Sequence, residues 1–432
     1  MPIPTCDLCL INPPSPWLVH PHAQAPLGIL YVAAAAEAEG FSVAVRNLAA
    51  AAILPATWRI PQARVYGLTG CFLHIEIVGV CARELKRRHP GCRVIVGGPI
   101  TLSRDELDRA AIDTIVLGEG ERVIGDLLRA PGPAEIEGPP ADVRTGLEPA
   151  RHLWAGPFGG DVFIDDRRYT GCGSATLLTT RGCPFKCAFC ASPALRCSPA
   201  VRFRRPEAVA EEMVGCVRGY GVRQFRLSDE FFTCSPEHAV GVCKAIWQRT
   251  ELTSGDGIAW RASIGVRPND PELFRALRAA GCREVAFGVE SADPEVLDGL
   301  SRKGGPDDAR TAFANARAAG LQTRALMMVG LPGTRPQTRA LNERFLRSDL
   351  FDAVAITVFT PVPGCAIASE PERFGCRIIP ERSHRSLCMY DAQGRIPIRP
   401  TIEVEGMTDE ALTRQMHETI ALAESLGRLG KG

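Results

Sequence analysis

The chain has 432 residues, 45% of them hydrophobic, with 50 basic and 49 acidic side chains and a net charge of +1. That length allows two or three domains, each with a sizeable core. The balance of charge excludes a chain-wide field that would attract nucleic acid or an anionic membrane, so a small-molecule substrate is expected and nucleic acid is disfavoured as a partner.

The opening MPIPTCDLCLINPP has no basic start, and Asp7 and Asn12 interrupt its apolar stretch, so it does not read as a secretory leader. No run of about 18 apolar residues occurs. A cytoplasmic protein with no membrane partner is expected. Its seventeen cysteines then read as reduced thiols, most of them small core residues.

From the start, strands are predicted at 7–11, 42–46, 65–68, 93–96 and 114–117. Helices are predicted at 27–39 and 73–89, with another running to 128. Five strands alternating with helices imply a parallel, doubly wound sheet over 1–130, whose ligands bind beyond the carboxyl ends of the strands. Three of those ends carry glycine: Thr69-Gly70, Gly97-Gly98 and Gly118-Glu119-Gly120. Glycine admits close backbone approach to a ligand, although tight turns alone also use it. His74, near the start of the second helix, faces the same crevice, where a structural histidine is the plainer reading. Cys6 and Cys9 lie three apart on a strand, face opposite ways and read as structural.

Residues 131–174 are rich in Pro and Gly and read as a linker. Strands follow at 175–179, 224–227, 258–262, 284–288, 322–328 and 353–359, with helices between them such as 206–218 and 271–280. Six strand–helix units over 175–372 suit a partial barrel with a lateral opening, since a closed one has about eight. Residues 373–432 form a tail with one helix, 409–426.

The loop after the first of these strands reads Thr179-Thr180-Arg181-Gly182-Cys183-Pro184-Phe185-Lys186-Cys187-Ala188-Phe189-Cys190. Gly182 and Pro184 force an irregular path, so three sulfurs can converge. Iron–sulfur clusters are held by cysteine thiolates, and three ligands leave one corner of a four-iron cluster open. A zinc site would show a second Cys or His pair, which is missing here.

Cys183-x-x-x-Cys187-x-aromatic-Cys190 resembles the signature of radical S-adenosylmethionine (SAM) enzymes. Later strand ends resemble that family too: Ser228-Asp229-Glu230, Phe287-Gly288-Val289-Glu290-Ser291, Ser301-Arg302-Lys303-Gly304, Val329-Gly330-Leu331-Pro332-Gly333 and Phe359-Thr360-Pro361. Asn12-Pro13-Pro14, Pro26-Leu27-Gly28, Gly97-Gly98-Pro99 and Gly118-Glu119-Gly120-Glu121 resemble the cobalamin-binding domain that precedes one subfamily.

The resemblance implies an α/β chain: an N-terminal flavodoxin- or Rossmann-like parallel sheet, a partial (β/α)6 radical SAM barrel and a short helical tail. It implies a [4Fe-4S] cluster on Cys183, Cys187 and Cys190, with SAM chelating the open iron. An electron from a flavodoxin- or ferredoxin-type donor cleaves SAM to methionine and a deoxyadenosyl radical, which abstracts hydrogen from substrate. Ser228, Asp229, Glu230, Glu290 and Ser291 would hold the SAM ammonium and ribose, Arg261 its carboxylate, and Phe189 its adenine. Thr69, Gly70, Gly97, Gly98, Gly118 and Gly120 would line a cobalamin crevice.

There are departures. No Asp-x-His-x-x-Gly occurs to supply cobalamin with a histidine ligand, and Ile100 stands where such domains often carry His. Two reactions therefore stay open: cobalamin-dependent methylation of an unactivated carbon in a specialised metabolite, as in antibiotic biosynthesis, and cobalamin-independent radical dehydration of a diol in an aminosugar. Modification of tRNA fits less well, for want of a basic surface. No acid–base or hydrogen-donor residue is identified. Cys197, Cys234, Cys365 and Cys388 fall in or near loops, where plain structural thiols are the simpler reading.

Overall fold

The computed structural model describes residues 5–18, 25–144, 148–154, 174–195, 198, 200–382 and 398–429. The chain divides into two compact units; the first is Met1–Thr176 with Leu195–Pro199 and Tyr220–Val222, and the second is the remainder.

The first unit is built on six strands: β1 (Cys6–Asn12), β2 (Val43–Asn47), β3 (Ala63–Thr69), β4 (Arg93–Gly97), β5 (Thr114–Gly118) and β6 (Glu135–Gly138). They pair in parallel in the order β2-β1-β3-β4-β5-β6. The central strands are almost wholly buried because helices cover both faces of such sheets. Leu27–Ala38 is apolar nearly all round and is buried, its alanines permitting close approach to the sheet. Ile75–Arg88 is amphipathic: Ile75, Val78, Ala82 and Leu85 face the core, and Lys86, Arg87 and Arg88 complement the negative end of its dipole.

Strand order reverses between β1 and β3. That is the switch point where open α/β sheets place their ligands. One expectation needs correction here. Residues 131–174 are not linker throughout, since Glu135–Gly138 adds a sixth strand to this sheet and Arg151–Trp154 forms a short helical turn. The first unit accordingly continues to Thr176.

From Ser174, at the boundary of the two units, come β7 (Ser174–Leu177), the short antiparallel pair β8 (Thr180–Arg181) and β9 (Arg202–Phe203), then β10 (Gln224–Leu227), β11 (Ala259–Ile264), β12 (Cys282–Glu290), β13 (Gln322–Val329) and β14 (Ala353–Val358). The main sheet runs β14-β13-β12-β11-β10-β7, so neighbours in space are neighbours in sequence. Each crossover carries helix, as parallel strands require.

Period-two alternation divides this sheet into two faces. Phe225, Leu227, Trp260, Ala262, Ile264, Val285 and Phe287 are buried on one of them. Phe287 meets Phe313 of helix Pro306–Ala318 with ring centroids 4.6 Å apart, so this face lies against the helices. The opposite, inner face holds Arg226, Arg261, Ser263, Glu284 and Arg324.

The tail folds onto the same unit. β15 (Cys376–Ile378) pairs antiparallel with β16 (Ile402–Val404). Helix Asp409–Ser425 is capped by the Thr408 hydroxyl, which accepts from the Ala411 N–H at 3.2 Å. Its Leu412 and Met416 join Val329, Leu331 and Phe359 in one apolar cluster. The Val354 N–H donates to the Arg428 carbonyl at 2.8 Å, so Arg428 and Leu429 lie beside β14. Among the described residues, no helix is long and apolar enough to cross a membrane.

Candidate functional site

The cysteine loop leaves β7 and is held from beneath by Asp229, just beyond the end of β10. Asp229 Oδ1 accepts from the Thr179 N–H (2.8 Å), the Thr180 N–H, the Thr180 hydroxyl (2.8 Å) and the Thr179 hydroxyl (3.2 Å). Burial pushes the carboxyl up to about 6 against these four bonds. The neighbouring Glu230 is exposed, and its Oε2 accepts from the Gly182 N–H at 2.7 Å. Gly182 itself has φ +94°, a conformation that favours glycine.

Two further anchors fix the loop between its second and third cysteines. The Ala188 N–H donates to the Leu300 carbonyl at 3.0 Å, and the Ala188 carbonyl accepts from the Ile367 N–H at 3.2 Å. The loop is thus tied to segments that follow three other strands of the same sheet.

Cys183, Cys187 and Cys190 are all partly exposed. Burial foremost, with the nearby Cys190, Cys183 and Glu290 adding to it, pushes the Cys187 thiol up to about 11, while Arg302 pulls it down. Among the described residues, no three His, Cys, Asp or Glu side chains close on a single-ion site. Three cysteine thiolates on one loop are the donor type that holds iron–sulfur clusters. The end of β10 also offers polar atoms for a ligand. Ser228 Oγ and Asp229 Oδ2 are buried without a hydrogen-bond partner among the described residues, and such groups need one.

Glu290 ends β12 at a register shift and has φ +63°. Ser301 has φ +55°, and these are the two non-glycine residues with positive φ among those described. Strained backbone of this kind concentrates at functional sites. Arg302 follows Ser301 and reaches back to β12: its side chain is 8% exposed, its Nε is 3.9 Å from Glu290 Oε1, and it donates to the Gly288 and Lys303 carbonyls, each at 2.5 Å. Burial raises Glu290 to about 7, and Arg302 opposes that rise.

Several expectations change. Asp229 does not present its whole carboxylate to a ligand, because one oxygen is committed to the loop's own backbone. Ser291 is buried, and its hydroxyl accepts from the Asp293 N–H at 3.1 Å, which is a local turn contact. Phe189 packs beside the cluster formed by Ala188, Val329, Leu331 and Phe359. Arg261 sits in mid-strand on the inner face, opposite Arg226 in register. Cys365 is buried and caps the turn Ala366–Ser369, and Cys234 is half-buried. Cys197 and Cys388 lie outside the described residues. Arg302 and the Thr179–Thr180 pair were not picked out beforehand. For Arg302 the signal lay inside the motif Ser301-Arg302-Lys303-Gly304.

At the switch point of the first sheet, His74 is fully engaged. Its Nδ1 accepts from the Cys71 N–H at 3.1 Å, so Nε2 carries the proton and donates to Ser15 Oγ at 2.9 Å. Trp17 meets its ring edge-on at 4.7 Å. Burial lowers the imidazole to about 4. This supports the structural reading of His74.

The glycines have local reasons as well. A Cβ on Gly70 would lie 2.8 Å from the Cβ of His74, and one on Gly98 (φ +83°) would lie 2.6 Å from Thr69 Oγ1. The Ile100 N–H donates to the Gly70 carbonyl at 2.8 Å, tying the loops after β3 and β4 together. Gly118 has φ +87°, a Cβ on Gly120 would approach Val32 at 3.1 Å, and Gly97 has ordinary room. The crevice offers glycine-lined backbone and no available imidazole among the described residues.

Residues 177–343 match the radical SAM superfamily, and residues 21–128 match the B12 binding domain. The chain is 27% identical over 317 residues to an uncharacterized methyltransferase of Pyrococcus horikoshii, covering 69% of this chain and 67% of that one. It is 26% identical over 336 residues to the 2-(S-pantetheinyl)-carbapenam-3-carboxylate methyltransferase of Streptantibioticus cattleyicolor, covering 70% and 48%. The chain thus spans about two thirds of the first relative and about half of the second. Its fold is similar to that of TsrM from Kitasatospora setae, a radical SAM methyltransferase solved with cobalamin and a [4Fe-4S] cluster. That match has a TM-score of 0.70 at 19% identity and covers 97% of this chain and 88% of TsrM.

Proposed function

We propose, from the match of residues 177–343 to the radical SAM superfamily and of residues 21–128 to the B12 binding domain, that the chain is a cobalamin-dependent radical SAM methyltransferase acting on an unactivated carbon of a small molecule. The observation that carries this reading is the pairing of the two domains in one chain, with a three-cysteine loop built at the strand ends of the second. When bound, the cluster and SAM supply one-electron cleavage chemistry, and cobalamin supplies a methyl carrier.

The protein's own residues position these groups. Cys183, Cys187 and Cys190 hold the cluster, and Asp229, Leu300 and Ile367 fix the loop that presents them. Ser228 Oγ, Asp229 Oδ2, Glu230 and Glu290 form the polar rim for the SAM amino-acid end and ribose, where charge-assisted hydrogen bonds are the strong ones. Phe189 borders the adenine. The backbone of Thr69, Gly70, Gly97, Gly98, Gly118 and Gly120 borders the corrinoid, and His74 remains with Ser15 and Cys71. A flavodoxin- or ferredoxin-type protein delivers the electron, and the reaction takes place in the cytoplasm.

Anaerobic reconstitution tests the reading. The chain should take up one hydroxocobalamin and, once supplied with substrate, convert SAM to S-adenosylhomocysteine as well as deoxyadenosine. Deoxyadenosine formation without corrinoid uptake would favour radical dehydration instead.

A further inference from the structure

Cys190 closes the cysteine loop and leads into the next turn. Its own N–H donates to the Cys187 carbonyl at 3.0 Å, and the Ala194 N–H donates to the Ala191 carbonyl at 2.9 Å. Between these two bonds the Ser192 N–H donates to Cys190 Sγ at 3.4 Å, an ordinary separation for the larger sulfur atom. The residues around it explain the contact. Ser192–Leu195 is a single helical turn, and the first N–H groups of a helix find no partner inside it. Pro193 has no N–H to offer, and Ala194 commits its own to Ala191. The Ser192 N–H is left facing back along the chain, where the sulfur two residues earlier accepts it. The stretch just before Cys190 is anchored as well, because Ala188 is tied to both Leu300 and Ile367.

A thiolate that ligates iron accepts more strongly than a thiol, since hydrogen bonds to charged groups are the strong ones. Reduction of the cluster takes one electron from the donor protein and adds it to the iron–sulfur group; no bond forms or breaks in that step. The added negative charge is shared with the ligating sulfurs. An N–H aimed at one of them therefore stabilises the reduced state more than the oxidised state. Hydrogen bonds to the sulfurs are among the factors that set cluster potentials.

We propose that the Ser192 N–H raises the reduction potential of the cluster through Cys190, and that the Ser192-Pro193 sequence presents it. The peptide group acts through a ligand and touches neither SAM nor substrate, so its role is one of positioning. This tuning rests on the cluster reading of the loop and is independent of cobalamin.

The test uses the reconstituted holoenzyme, poised at a series of potentials with redox mediators while the paramagnetic resonance signal of the reduced cluster is followed. S192A keeps the N–H and S192P removes it. Proline is tolerated at the first helical position, where the N–H is an orphan in any case. The S192A midpoint should equal that of the wild type. In S192P the ratio of reduced to oxidised cluster at a fixed potential should fall at least threefold, which is about 28 mV at ~59 mV per tenfold for one electron. Iron content and a SAM dissociation constant within about twofold of the wild type show that S192P is folded. A second measurement needs no proline. With nitrogen-15 placed only at serine, the pulsed resonance spectrum of the reduced wild-type cluster should show a weakly coupled nitrogen-15 nucleus, and that coupling should vanish in S192A.

An S192P midpoint equal to that of the wild type, or equal shifts in S192A and S192P, overturns the proposal. So does a serine-labelled chain without the coupling. Failure of the cluster reading looks different: the wild-type protein would hold no four-iron cluster after reconstitution, and the tuning would fall with it.

Discussion

Arg302 Nε lies 3.9 Å from Glu290 Oε1, joining two backbone segments that both adopt left-handed conformations, Glu290 at φ +63° and Ser301 at φ +55°. The guanidinium also pulls the Cys187 thiol toward ionisation. One buried cation therefore acts on both Cys187 and Glu290.

Replacing Arg302 by Gln should leave Glu290 protonated over a wider range, because burial raises it to about 7 even with the cation present. SAM affinity of the reconstituted enzyme is expected to fall at least tenfold near pH 7 and to recover partly at higher pH, where Glu290 ionises. R302K should keep most of the affinity. Equilibrium dialysis across pH 6 to 9 provides the check.

Asp229 should leave a signature in stability. Its folded value of about 6 lies above the ordinary 3.8. A group raised on folding contributes stability that is fully present below its unfolded value and is lost as pH rises through the folded one. The loss amounts to about 3 kcal/mol at ~1.4 kcal/mol per pH unit. D229N keeps an acceptor for the two threonines and cannot ionise, so its denaturant midpoint should gain on the wild type between pH 4 and 7. D229A removes the acceptor, and its iron content after reconstitution should drop by more than half.

His74 runs the other way. Its value is depressed from 6.5 to about 4, so its contribution is present above pH 6.5 and is lost as pH falls through 4. Cobalamin bound to the first unit should carry no histidine nitrogen from this residue. The paramagnetic resonance spectrum of the reduced, cobalt(II) form should be unchanged in H74Q, and a change in its nitrogen splitting would assign the ligand to His74.

Gly98→Ala places a methyl group 2.6 Å from Thr69 Oγ1 at φ +83°. Strain of this kind is worth about 1–3 kcal/mol. The first unit should melt earlier and bind cobalamin more weakly. The double variant with Thr69→Gly should recover the part due to crowding and leave the part due to φ.

Most of the architecture was legible in the sequence because the strands of the first sheet, buried on both faces, read as apolar runs between glycine-rich ends, and those of the second, with one face buried, recur between helices. β6 was not. Glu135–Gly138 is a four-residue edge strand with two exposed glutamates, and nothing in its period separates it from the Pro-rich stretch around it. The cysteine triplet was legible because its spacing is local. The roles of Asp229 and Arg302 were not, since each depends on which way one side chain turns. Asp229 turns back to Thr179 and Thr180, and Arg302 crosses to the carbonyl of Gly288. Gly70 and Gly98 show the same limit: a glycine at a strand end reads equally as room for a ligand or as room for His74 and Thr69.

The central claim is that SAM cleaved on the Cys183, Cys187 and Cys190 loop leads to a methylated product by way of cobalamin. Methyl-deuterated SAM, given to the reconstituted enzyme with its small-molecule substrate, tests it most directly. The prediction is a product heavier than its substrate by one deuterated methyl group, formed only when cobalamin is present. A product that has lost water and carries no deuterium, formed equally without cobalamin, would contradict it.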